Sequence, residues 1–126
     1  MAHTWQSLVR KWQRRILRDP GWEIEMVAVP AKQGRALSVE TKDYQYRKAQ
    51  IIYPHDSQPD NAVACHEVIH IALAGLSATA TVATRVLGGD THTKLAEEWI
   101  VSEEERAVET LTRALVAAYA EEDKDG

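Results

Sequence analysis

Apolar residues recur at helical spacing over residues 4 to 18, where Trp5, Leu8, Val9, Trp12 and Ile16 share one face. Arg10, Lys11, Arg14, Arg15 and Arg18 fall on the opposite face. This pattern predicts an amphipathic helix docked on a core, with a solvated basic side. Asp19-Pro20-Gly21 ends it. The period then shortens. Residues 22–29 partly alternate and predict a strand, Pro30 to Gly34 a turn, and Arg35 to Thr41 a second strand. Lys42-Asp43 predicts another turn, and Tyr44 to Tyr53 a third strand that ends in Ala49-Gln50-Ile51-Ile52-Tyr53. Short connections make an antiparallel meander the economical topology, with a mixed sheet as its variant.

Helical spacing returns after the Pro54–Pro59 loop. A helix is expected over residues 59 to 75, with cap signals in Ser57-Gln58-Pro59-Asp60 and Gly75 as its end. The Ala- and Thr-rich stretch 76–92 has no clear assignment, and Gly88-Gly89 reads as a break. Ser102-Glu103-Glu104-Glu105 fits a capping box that starts a helix running to about Tyr119. Val101, Val108, Leu111, Leu115 and Tyr119 form its expected buried stripe, and residues 121–126 a disordered tail. The expected fold class is α+β, a single domain over residues 1–126.

Composition narrows the function classes. The chain has 126 residues, 44% apolar and 27% charged, enough for one core. It has no Phe, so its four Trp and four Tyr must fill that core alongside aliphatic residues. No unbroken run of roughly eighteen apolar residues occurs, so no membrane span is expected. The first residues lack the basic-then-apolar order of a secretory signal, and Cys65 is the only cysteine. Both features predict a cytoplasmic location. A net charge of -4 argues against a nucleic-acid partner.

The chemistry concentrates in His66-Glu67-Val68-Ile69-His70, set in an apolar run. Residues four apart on a helix share a face, so both imidazoles can point at one ion. Imidazole nitrogens suit zinc, and a catalytic zinc site uses three protein ligands and one open position. Glu67 lies where a general base can reach water without being a ligand. A structural histidine pair on an amphipathic helix is the plainer alternative, but histidines buried in apolar surroundings need partners. Cys65, adjacent to His66, would point elsewhere and reads as a small buried residue.

The third ligand is open on the sequence. Leu73 and Leu76 stand where a metzincin needs Gly and His, which excludes that class. The direction of the Val101, Val108, Leu115 and Tyr119 stripe passes between Glu104 and Glu105. Glu105 is favoured, because Glu109 one turn later can orient a ligating histidine. Glu104 follows, then Asp90, His92, Glu97 and Glu98. Acids at a helix start also serve the macrodipole, which by itself accounts for several of them. His55, His92, Tyr44, Tyr46 and Tyr53 are weaker candidates for holding an oxyanion.

The strand Ala49–Tyr53, the motif His66–His70 and the later run Glu104–Leu111 resemble, in that order, the minimal zinc peptidases of the gluzincin type found in phages and bacteria. The resemblance covers about residues 44 to 118. It implies a small sheet before the motif helix, a strand that aligns a peptide, and zinc completed by a Glu on a later helix. His66, Glu67 and His70 carry over directly, and the later Glu falls within the three successive acids Glu103, Glu104 and Glu105. At 126 residues, no second subdomain is expected to wall the primed side. The expected function is a zinc metallopeptidase with Glu67 as base and His66, His70 and Glu105 as ligands. Its substrate would be a peptide or protein lying beside the third strand. One alternative is a non-catalytic zinc-containing or zincin-like protein-binding module. Another is an interaction protein that uses the basic Trp-containing helix.

Overall fold

A computed structural model describes residues 3–17, 22–30, 38–43 and 47–124, with the backbone alone for 38–43 and 87–93. The fold is α+β. Helix α1 spans Trp5–Trp12 and opens with a capping box, in which Thr4 accepts from the Ser7 amide and Ser7 accepts from the Thr4 amide. A π turn, Gln13–Leu17, follows. Its wider spiral advances the buried face by five residues instead of four. Leu17 is therefore the buried residue after Trp12, and Ile16, expected there, is only partly covered. The break at Asp19-Pro20-Gly21 and the turn at residues 31–34 lie outside the described residues.

Strands β1 (Glu23–Val29), β2 (Ser38–Asp43) and β3 (Lys48–Pro54) form a sheet in the order β1-β3-β2. An antiparallel meander does not form. β1 runs parallel to β3, with Ile24 opposite Ala49 and Met26 opposite Ile51, while β2 runs antiparallel to β3. Hydrophobicity explains the order. β3 carries the buried Ala49 and Ile51 and takes the centre, where both of its edges are bonded. The more polar β2 and the Glu23- and Glu25-bearing β1 take the edges. Lys42 and Asp43, expected as a turn, belong to β2.

Helix α2 (Asn61–Ala118, 58 residues) corrects the expectation of separate motif and C-terminal helices. Asp60 caps it by accepting from the Val63 amide at 3.0 Å, and Gly75 and Ser102 are interior. A straight helix would hold His70 and Glu105 about 50 Å apart. Their side chains lie 2.7 Å apart, so α2 doubles back on itself. Arg85 and Glu97 pair at 2.8 Å and bracket the reversal, which contains Gly88-Gly89. By length and composition alone the first limb, Asn61–Val86, could also cross a membrane, with a mean hydropathy of 1.4 over an 18-residue window. His66, Glu67 and His70 divide its apolar residues into shorter runs. Its first turns supply Ala64, Cys65, Val68, Ile69 and Ile71 to the core.

The second limb buries Val108 and Thr112, with Leu115 and Tyr119 partly covered. Val101 and Leu111 from the expected stripe are exposed. Thr112 can be buried because its hydroxyl donates to the Val108 carbonyl at 2.7 Å. Toward the reversal, Leu76, Val82, Val86, Leu95 and Trp99 are also exposed.

The expected tail from residue 121 carries a short helix over its described part. Helix α3 (Ala120–Asp123) brings Asp123 to Arg15, which donates to both carboxylate oxygens at 3.1 and 2.8 Å. Lys11 lies 3.3 Å from the same carboxylate and donates to Asn61 Oδ1, which also accepts from Trp12 Nε1. Arg15 lies over the Tyr119 and Trp12 rings. Two of the basic residues expected in solvent are thus consumed in closing the fold. The Arg15 hydrogen bonds, helped by Lys11 and opposed by burial, hold the Asp123 carboxyl at about 2. A depressed carboxyl stabilises the fold above its unfolded value of 3.8, and that contribution is lost as pH falls toward 2. Asp123→Asn should therefore cost about 2 kcal/mol at pH 7, and the gap from wild type should close between pH 4 and pH 2. Urea unfolding across that range measures it. A gap independent of pH would refute the ion-pair account.

Candidate metal centre

The doubling of α2 builds the site. His66 and His70 lie one turn apart on the first limb, and Glu104, Glu105 and Glu109 face them from the second. The two Nε2 atoms are 3.2 Å apart. Glu105 Oε1 lies 2.7 Å from His70 Nε2, and its Oε2 lies 3.8 Å from His66 Nε2. Among the described residues, these three form a group whose ligand atoms all fall within 4.8 Å of one another.

The donor set fits zinc. Tetrahedral zinc with ligands at about 2.0–2.1 Å has edges of about 3.3 Å. The 3.2 Å between the Nε2 atoms is close to such an edge, and Glu105 sets one carboxylate oxygen beside each imidazole. The outer ring nitrogens also face carboxylates. Glu109 Oε1 is 3.2 Å from His66 Nδ1, and Glu104 Oε2 is 3.4 Å from His70 Nδ1. Carboxylates at those positions favour the Nδ1–H tautomer and leave the Nε2 lone pairs for a metal.

Glu67 is buried at 7% exposure, in the turn that carries the histidines. Burial, and then the negative charge of Glu105, pushes its carboxyl up to about 7. A carboxyl near neutrality can both accept and return a proton under physiological conditions.

The other candidates go elsewhere. The side chains of Asp90 and His92 lie outside the described residues, as do Tyr44 and Tyr46. Glu97 is engaged by Arg85, and Glu98 is exposed nearby. His55 is exposed beside Asp56, and the Tyr53 hydroxyl accepts from Gln6 Nε2. Cys65 is buried, and that burial pushes its thiol up to about 11, so it offers no thiolate. Ser77 was not anticipated. Its hydroxyl donates to Glu104 Oε1 at 2.7 Å. The available signal was its spacing: seven residues after His70, two helical turns along nearly the same face.

Compared with known proteins, the chain matches no family model, no curated protein and no solved structure.

Proposed function

We propose that this protein is a zinc-dependent metallopeptidase. The observation that carries the reading is that His66, His70 and Glu105 each offer a ligand atom within 4.8 Å of the others. These three residues would hold the ion. When bound, zinc supplies Lewis acidity, which acidifies a water molecule and polarises a carbonyl. Glu109 and Glu104 orient the two imidazoles through their outer nitrogens. Glu67 accepts the proton released by water at its carboxylate and delivers it to the departing amine.

A peptide cannot lie beside β3, which is bonded to β1 and β2. β2 is the better host. It is an edge strand, antiparallel to β3, and α2 packs against it. A substrate would add as a strand along its outer edge, held by backbone hydrogen bonds.

Zinc-loaded protein incubated with a broad peptide library tests the proposal. A subset of peptides should be cleaved, cleavage should stop on chelation, and added zinc should restore it. A zinc-loaded protein that cleaves nothing yet captures peptides tightly would instead be a non-catalytic binding module.

A further inference from the structure

Glu104 and Glu105 are neighbours in sequence, and both reach the histidines, yet their surroundings differ. The Glu104 side chain is 21% exposed and the Glu105 side chain 52%. Glu104 is gripped at both oxygens: Ser77 Oγ donates to Oε1 at 2.7 Å, and Oε2 faces His70 Nδ1 at 3.4 Å. Ser77 belongs to the first limb and Glu104 to the second, so their hydrogen bond also fixes how the limbs register. Without that grip, either glutamate has the length to offer an oxygen to the ion.

We propose that Ser77 is a positioning residue of the metal centre: its hydroxyl turns Glu104 onto the outer nitrogen of His70 and leaves Glu105 as the carboxylate ligand. The inference rests on the metallopeptidase reading for its metal, but concerns binding and not turnover. Ser77 orders the Glu104 carboxylate, the carboxylate favours a proton on His70 Nδ1, and the Nε2 lone pair is then directed at the ion. The hydroxyl needs no ionisation for this. A threonine keeps the donor, and an alanine removes it.

Zinc affinity, measured by competition with a chromogenic chelator, tests the relay in Ser77→Ala, Ser77→Thr, Glu104→Gln and the Ser77→Ala/Glu104→Gln double variant. Glu104→Gln should weaken zinc binding by about tenfold or more, the scale for groups that orient metal ligands. Ser77→Ala should weaken it by about three- to tenfold, and Ser77→Thr should stay within about twofold of wild type. The double variant should bind no more weakly than Glu104→Gln alone, because both changes break one chain of contacts. Long-range nitrogen NMR of the zinc-loaded proteins should find His70 protonated at Nδ1 in wild type, with that proton signal broadened in Ser77→Ala. Ser77→Ala binding zinc as wild type does, or losses that multiply in the double variant, would overturn the relay and leave the metal centre standing. A lowered thermal midpoint of the metal-free Ser77→Ala protein with unchanged zinc affinity would assign Ser77 a packing role only. Wild type that binds no zinc would remove the metal centre and the relay together.

Discussion

In the Glu67→Gln protein, peptide hydrolysis should fall by about a hundredfold or more while each chain keeps its zinc. A positioned general base contributes roughly a hundred- to ten-thousandfold, and the lower end suits a site whose carboxylate ligand is half exposed. Glutamine keeps the length and shape of the side chain, so the buried turn around residue 67 need not repack. It cannot take a proton from water. The ligands are untouched, so zinc content measured on the same preparation separates loss of chemistry from loss of metal. Equal rates for the two proteins would remove Glu67 from the mechanism.

The same substitution has a second signature in the metal-free protein. The Glu67 carboxyl is raised to about 7 from an unfolded value of 4.5. The native state therefore holds a proton that the unfolded chain gives up, and stability falls as pH rises from about 4.5 to about 7. The drop is about 3 kcal/mol at most. Glu67→Gln should abolish it and make the metal-free protein more stable than wild type at pH 7. This trend runs opposite in sign to that of Asp123, whose contribution is lost in acid, so chemical unfolding from pH 2 to pH 8 distinguishes the two groups.

The features that could be read from sequence are those fixed by local periodicity. His66, Glu67 and His70 needed only a helix and a spacing of four. Trp5, Leu8, Val9 and Trp12 needed only an apolar stripe. What escaped depended on how distant segments meet. Glu105 and Glu109 were favoured by their spacing, but that Glu104 faces His70 Nδ1 follows only from the register across the reversal of α2. Thr112 is not in the expected stripe, and its bond to the Val108 carbonyl, which lets it bury, is invisible in composition. Arg15 and Asp123 each sat in a run of like charge that suggested solvent, although they lie at opposite ends of the chain and pair with each other. The parallel pairing of β1 with β3 likewise follows from competition among strands for the central position, which no single strand's pattern contains.

Zinc binding itself carries the largest expected loss. Wild type should hold about one zinc per chain, and His66→Ala or His70→Ala should each weaken binding by more than about a hundredfold, since a three-residue site that loses one imidazole keeps only two protein ligands. Glu105→Gln should cost more affinity than Glu104→Gln. The first removes an anionic donor from beside both Nε2 atoms, whereas the second disturbs a contact to an outer nitrogen. Glu97→Gln should bind zinc as wild type does, because that carboxylate is spent on Arg85. Titration of the purified variants with a competing chelator ranks them. A ranking in which Glu104 outweighs Glu105 would exchange their roles and keep the peptidase reading. Unchanged zinc content in both histidine variants would end it, because no arrangement of the glutamates alone supplies the nitrogen donors on which the site's fit to zinc depends.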